Sequence, residues 1–438
     1  MRTNSTGQVT TKIINVCSRG NNIKFIALPN VLMNAPILSI CQRSCSDAHG
    51  IGSGGWFLDC GKSLLSRSFI GLGCDHIVSA RVVTNNGSII EVTDTNNHKD
   101  LLWALRGAGS GNFGVVTSLN IETVPLVQPE ENKNSFIYFQ LLWPRNKSKY
   151  AFMIWQDWAI DHKNDNFTCN FKLGNNNNNA MDGDESYVEF EGVLWGNKNE
   201  LQNILNNADL NTTLGEPTSY ELKEFNYIDF VTFASGLSSS DTLQLYNPQS
   251  GKHGVRRRSF HNKSHMISKR LDSKGIDTFL NLANEDVPGL TSDSSNNNYV
   301  VLSPLGGRIN LSSSSLKNPP SVYPHRSALA VAQFVGYWNK PELKLPIVSH
   351  QRRFWRTMQD FWGNLAFYSY KDNELNHWEE AYWGEQGDNN KDSSESLSSL
   401  QKLNNVKCKY DELNLFSTMR QSLKCKNYSG SFANKDRG

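Results

Sequence analysis

Long apolar runs are missing from this chain, and so is any strong excess of charge of one sign. The most apolar stretch, Ile23 to Cys41, is broken by Pro29, Asn30, Asn34 and Pro36, which excludes a comfortable membrane-spanning helix. Lysine and arginine number 44 against 42 acidic residues, a net charge of +2, so a partner held by charge, nucleic acid above all, is not expected. The one basic cluster, Arg256-Arg257-Arg258, reads as a solvated strand end. Cysteine is sparse, with 8 residues in 438 and no C-x-x-C pair, which argues against a disulfide scaffold and against a zinc site. Met1 to Lys12 is polar and shows no secretory leader. N-x-S/T sequons at Asn4, Asn86, Asn146, Asn166, Asn211, Asn262, Asn310 and Asn427 say little in a chain this rich in Asn, Ser and Thr.

What is present is bulk to bury. Hydrophobic residues make up 38% and aromatics 11%, including 11 Trp, enough for two or three domain-sized cores. Residues 1 to about 50 have no clear period. From Gly50 the pattern sharpens, beginning with the glycine-dense run His49-Gly-Ile-Gly-Ser-Gly-Gly-Trp56. Ile77–Thr84 and Ser88–Thr93 are β-branched runs separated by Asn85-Asn86-Gly87, a hairpin signal. Asn97–Leu105 reads as a short capped helix ending at Gly107. A second glycine loop, Gly107 to Gly114, leads into a strand from Val115 to Val124, closed by Pro125. Strands and short helices continue from Ser135 to about Leu365. The Asn175–Asn179 run and Asp293–Asn298 read as loop insertions within them. Phe367 onward reads as a Tyr-rich strand, a polar loop and a final helix with a turn. No internal repeat is visible.

Gly109-Ser-Gly-Asn-Phe-Gly114 matches the pattern of a dinucleotide-binding turn, but its context is reversed. That turn needs a strand before the glycines and a helix after them, so that the helix N-terminus meets the pyrophosphate. Here a helix precedes and a strand follows. The two glycine loops are then either ordinary turns or places where backbone approaches a planar cofactor at close range.

Read with their neighbours, these loops resemble a known family. Gly54-Gly55-Trp56, Gly61-Lys-Ser-Leu-Leu-Ser-Arg67, Gly71-Leu-Gly-Cys-Asp75, Val82-Val-Thr84, Asp100 to Gly107 and Gly111-Asn-Phe-Gly-Val-Val-Thr117 resemble the second half of the FAD-binding domain of the berberine bridge enzyme-like oxidoreductases. Gly306-Gly307, Pro324-His-Arg326 and Gln333 resemble markers of their substrate domain. Tyr382-Trp-Gly-Glu385, Lys409-Tyr-Asp411, Asn414-Leu-Phe416 and Gln421-Ser422 resemble their C-terminal segment. The resemblance implies an α+β fold: 1–49 a degenerate remnant of a first FAD lobe, 50–130 the second lobe, and 131–365 a substrate domain with a large antiparallel sheet. Residues 366–425 would return to the FAD domain, and 426–438 would form a disordered tail.

The resemblance also implies FAD and a small-molecule substrate, an alcohol, sugar or amine. Hydride would pass to flavin N5 while a base takes the O–H or N–H proton, and oxygen reoxidises the flavin in many members. The candidate cofactor-binding residues are Cys45, Gly54, Gly55, Trp56, Gly61, Ser66, Gly111, Asn112, Phe113, Gly114, Val115 and Ser369, with Cys45 the candidate covalent flavin link. Tyr370 is the candidate base and Gln333 the residue that orients the substrate. Strand alternation predicts Phe367 and Ser369 on one face, with Tyr368 and Tyr370 on the other. An extracellular location is what the family implies. The pattern also departs from the family. The Arg-Ser-Gly-Gly-His loop of the first lobe is not found, and Asp59-Cys60-Gly61 stands where members carry three glycines. An inactive family remnant unable to hold FAD is therefore the alternative expectation.

Overall fold

The described residues form two antiparallel sheets, and the way each strand alternates explains how they meet. The computed structural model describes residues 13–17, 53–108, 110–122, 135–162, 164–175, 187–234, 259–290, 297–310, 321–384, 398–417 and 420–426. The strands are β1 (Ile13–Cys17), β2 (Ile77–Val83), β3 (Ile89–Val92), β4 (Val115–Glu122), β5 (Ser135–Pro144), β6 (Phe167–Asn175), β7 (Tyr187–Gly196), β8 (Ser219–Phe225), β9 (Ser259–Ile267), β10 (Asn297–Pro304) and β11 (Ala330–Trp338). The helices are α1 (Ser53–Leu58), α2 (Lys99–Ala108), α3 (Ser148–Ile154), α4 (Lys198–Asn207), α5 (Leu210–Leu214), α6 (Tyr227–Ala234), α7 (Ser273–Ala283), α8 (Lys344–Trp362), α9 (Trp378–Trp383) and α10 (Ser399–Tyr410). The fold is α+β. The smaller sheet runs β1-β4-β2-β3 and the larger β8-β5-β7-β6-β10-β11-β9.

The expected hairpin forms. Thr84 N donates to Ser88 O at 3.0 Å, and the Asn86 carboxamide oxygen accepts from Ser88 N at 3.0 Å. A helix then precedes the second glycine loop and β4 follows it, the order that excludes a dinucleotide-binding turn.

In the larger sheet one face is apolar. Phe139, Phe167, Phe171, Phe190 and Phe334 turn towards α3, α7 and α8, where Phe152, Phe279 and Phe354 close the core. Neighbouring residues on the same strands point to the other face, which the smaller sheet's lobe partly covers. Phe69 packs there on Trp195 at 4.8 Å and on Phe136 at 6.3 Å.

Two arginines pin the lobe to the larger sheet. Arg67, buried, donates to the carbonyls of Ile160, His162 and Leu305 at 3.2, 2.7 and 3.0 Å. Gly307 fits against it because a Cβ there would stand 2.4 Å from the Arg67 carbonyl oxygen, and its φ of 51° suits glycine. Arg326 grips the buried Asp75 with both terminal nitrogens, one of them at 3.0 Å.

Several sequence expectations change here. Phe367–Tyr370 is a turn and not a strand: Tyr370 N donates to Phe367 O at 2.9 Å, and the two rings meet at 5.0 Å instead of facing apart. The backbone before it bonds elsewhere, with Met266 N donating to Leu365 O and Phe367 N to Ser264 Oγ, so no ladder partner is left for it. Asn297 and Asn298, read as loop, begin β10 and are buried. Cys45, Arg256-Arg257-Arg258 and most of the Asn-rich run lie outside the described residues.

Two disulfides, Cys60–Cys74 and Cys408–Cys425, were also not foreseen. Cys60 has a φ of 55°, a conformation glycine adopts without cost and other residues do not. Pairing Cys60→Gly with Cys74→Ala is expected to lower stability by only about 2 kcal/mol, the low end for a loop of this length, because glycine relieves that strain. Urea denaturation reads this, and a loss of 4 kcal/mol or more, against the roughly 3 kcal/mol of loop entropy, would contradict it.

Candidate active site

The C-terminal segment and the glycine loops, far apart in sequence, meet in one buried seam. Asn112, at the centre of the second glycine loop, is 1% exposed, and its carboxamide and its carbonyl are all engaged. Its Nδ2 donates to Ala108 O at 2.9 Å and Tyr368 OH at 3.3 Å, its Oδ1 accepts from Leu423 N at 2.9 Å, and its carbonyl accepts from Lys407 Nζ at 2.5 Å. Trp383 Nε1 donates to Gly107 O at 3.3 Å. On the outer side, Tyr410 OH donates to Asp100 at 2.9 Å and Lys409 pairs with the same carboxylate at 2.7 Å. The Asp100 carboxyl is held below its ordinary range by these partners, which outweigh its burial.

Lys407 and Asp411 are the keystone of the seam. Both side chains are fully buried and their charged atoms lie 2.5 Å apart, one helical turn from each other at the end of α10. Asp411 also accepts from Leu415 N at 2.8 Å and Phe416 N at 3.0 Å, so it caps the turn that follows. Burial pushes the Lys407 ammonium down, and Asp411 opposes that.

Asp59 faces the same seam from the first glycine loop. Ser369 Oγ donates to the Asp59 carbonyl at 2.5 Å, and Lys371 Nζ stands 3.4 Å from the carboxylate. Burial raises the Asp59 carboxyl to about 6, with Lys371 and Ser110 opposing the shift. Its Oδ1 is buried and has no hydrogen-bond partner among the described residues. In the sequence, Asp59 marks only a departure from the three glycines of the family pattern. The signal that could have marked it is a carboxylate where glycine was expected, beside a segment carrying Lys371. Next to it, Cys60, Leu72 and Cys74 pack with Met266, Leu305, Val331, Tyr323 and Phe367 in a separate apolar cluster that joins lobe to sheet.

The candidate flavin residues divide by how much room each has. Gly54 and Gly55 face open space, and Gly111, with φ 72°, and Val115, half exposed, are also accessible. Gly61 and Gly114 serve the protein's own packing: a Cβ on Gly61 would lie 2.4 Å from the Trp56 ring, and one on Gly114 would lie 2.6 Å from Val83 O. Trp56, Ser66 and Phe113 are buried in the lobe, and Ser66 Oγ accepts from Ser63 N at 2.8 Å. Tyr370 is half-buried at the rim of the apolar cluster. Gln333 stands on β11 with its Nε2 3.3 Å from Asn262 Oδ1. A flavin ring edge carries both donors and acceptors, and an unpartnered Asp59 oxygen that holds a proton up to about pH 6 matches either. The residues present therefore fit a flavin edge at Asp59, Ser369 and the Gly54–Gly55 rim, while Gly61, Asn112 and Gly114 are used internally.

No family model matches the chain. Individual relatives do. An FAD-linked oxidoreductase of Bacillus subtilis, YgaK, is 25% identical over 375 residues, 84% of this chain and 69% of that protein. Berberine bridge enzyme-like 9 of Arabidopsis thaliana is 25% identical over 334 residues, covering 74% of this chain and 57% of its own length. Among solved structures, the berberine bridge enzyme-like 1 protein of Physcomitrella patens superposes with a TM-score of 0.70 at 22% identity, over 90% of this chain and 75% of that one. The chain thus spans between about half and three quarters of the length of these three proteins. In sequence and in fold the chain is thus similar to the berberine bridge enzyme-like FAD-linked oxidoreductases.

Proposed function

We propose that the chain is an FAD-dependent oxidoreductase acting on a small alcohol, sugar or amine at the seam between the glycine loops and the larger sheet. The observation that carries this reading is the docking of C-terminal residues onto both glycine loops, through Ser369 to Asp59 and through Lys407, Tyr368 and Leu423 to Asn112. When bound, FAD supplies the hydride acceptor that no side chain can provide. Gly54, Gly55, Asp59 and Ser369 would hold its ring edge. Gln333 orients the substrate hydroxyl or amine from the sheet side. Tyr370 takes the proton from that group as the C–H bond breaks. The apolar cluster around Cys60, Met266 and Val331 keeps water from the reacting carbon.

The alternative, a member that cannot hold FAD, is favoured by one feature: Asp59 and Cys60 carry side chains where the family has glycine. Anaerobic mixing of FAD-loaded protein with panels of alcohols, sugars and amines separates the two. Bleaching of the band at about 450 nm is expected with one panel. Tyr370→Phe should slow that bleaching by about a hundredfold, the scale of a lost general base, with the flavin retained. Unchanged bleaching in the variant would remove Tyr370 from this role.

A further inference from the structure

The main chain at Asp59 is tied down, while its carboxyl is poorly served. Asp59 N donates to Gly55 O at 2.9 Å, which sets the residue one helical turn from Gly54 and Gly55, where an added Cβ would meet nothing within 4 Å. Its carbonyl accepts from Ser369 Oγ at 2.5 Å, and the next residue, Cys60, is fixed by the disulfide to Cys74. The side chain is only 14% exposed. Lys371 Nζ stands 3.4 Å from one carboxyl oxygen, and the other is buried without a hydrogen-bond partner among the described residues. Orphaned buried oxygens are uncommon, and this one lies beside a rim with room for a ligand.

The surroundings decide which charge state suits this place. From the C-terminal segment, Lys371 is the charged group that acts on Asp59, and its ammonium also lies over the Tyr368 ring at 4.5 Å. Tyr368 is the second titratable neighbour, and burial pushes its hydroxyl well up. The second glycine loop, Gly107 to Gly114, brings Ser110 and no charged side chain, and α1 brings none either. Cys60 is locked in its disulfide and does not titrate. Burial outweighs Lys371 and Ser110 and raises the carboxyl to about 6. Asp59 is thus the group here whose charge changes near neutral pH.

A planar cofactor laid on the Gly54–Gly55 rim removes the water that remains around this carboxyl. Covering an acid disfavours its charged form further, and the neutral acid keeps both a donor and an acceptor for the ring edge. We infer that Asp59 contacts FAD as the uncharged acid, so that the chain takes up a proton together with the cofactor. The inference rests on the oxidoreductase reading and adds to it a residue that positions the flavin. The family pattern carries glycine at this point, so the proton linkage is a property of this chain's own departure from it. The sign follows from linkage: an acid made weaker by the bound ligand gives the tightest binding at low pH, and that advantage is lost as pH rises through its value in the complex.

Equilibrium titration of the folded chain with FAD at pH 5 and pH 8, read by flavin fluorescence, tests this without any turnover. A further rise of about one pH unit in the covered acid makes FAD bind about tenfold more weakly at pH 8 than at pH 5. Asp59→Asn keeps the shape and carries no charge, so it should bind equally at both, as should Asp59→Gly. Lys371→Met removes the opposing ammonium, so the fall in affinity should begin at higher pH than in the parent. Calorimetry at pH 6.5 in two buffers of different ionisation enthalpy should show about half a proton taken up per FAD by the parent and none by Asp59→Asn. A merely structural role for Asp59 would shift affinity equally at both pH values and leave proton uptake untouched. FAD binding that is equal at pH 5 and pH 8, or a pH dependence that survives in Asp59→Asn, would overturn the inference and leave the oxidoreductase reading standing. A folded chain that binds no FAD at either pH would sink both.

Discussion

Replacing Lys407 with methionine is expected to lower stability by about 3–5 kcal/mol, the cost of stranding one partner of a buried ion pair. Methionine fills similar volume, so the loss is electrostatic and not a cavity effect. Asp411 would keep its two backbone donors but lose its counter-charge in a site with no exposed surface. The carbonyl of Asn112 would lose its 2.5 Å donor at the same time. The effect should therefore reach the second glycine loop, more than two hundred residues away in sequence. Chemical denaturation measures the stability, and amide hydrogen exchange at Asn112–Val115 measures the reach. The Cys408–Cys425 disulfide keeps the C-terminal segment tethered, so faster exchange would report loosening of the seam and not its detachment. A loss below about 1 kcal/mol, the scale of an exposed pair, would mean that this pair does not hold the seam.

Asp59→Asn should act in the opposite direction and depend on pH. The Asp59 carboxyl is raised to about 6 from 3.8, so the folded chain binds that proton more tightly than the unfolded chain does. The stabilisation this gives is fully present below about pH 4 and is lost as pH rises towards 6. A shift of this size corresponds to about 3 kcal/mol between those limits. Asparagine carries no such charge. The variant should match the parent at pH 4 and exceed it by up to about 3 kcal/mol at pH 7, less whatever the contact with Lys371 contributes. Urea midpoints at the two pH values decide the matter. A variant less stable at pH 7 than at pH 4, relative to the parent, would show that Asp59 is an ordinary paired carboxylate.

The local grammar of this chain was easier to read than its long-range chemistry. Asn85-Asn86-Gly87 specifies its hairpin locally, and α2 followed by a glycine loop and β4 matches the expected order closely. Phe367–Tyr370 misled because aromatic residues favour strands only when a ladder partner exists. Here Ser264, Met266 and Ala381 take the neighbouring backbone groups first. The disulfides were hidden because spacing does not reveal pairing, and Cys60 meets Cys74 only after the lobe has folded. Lys407 and Asp411 could be seen as a helical i,i+4 pair, but a sequence does not show that both would be fully buried. The acids at 189 and 191 alternate along β7 with the apolar Val188 and Phe190. Their neighbours Asn170 and Tyr138 are brought beside them only by register.

All of this rests on a seam between the glycine loops and the C-terminal segment that can take a flavin edge. The most direct measurement is to incubate the purified chain with FAD, remove free cofactor by gel filtration and record the visible spectrum. Flavin absorbance at about 450 nm that travels with the protein, and is weakened by Lys407→Met, is the predicted result. Colourless protein after incubation, from a chain that circular dichroism shows to be folded, would contradict the account.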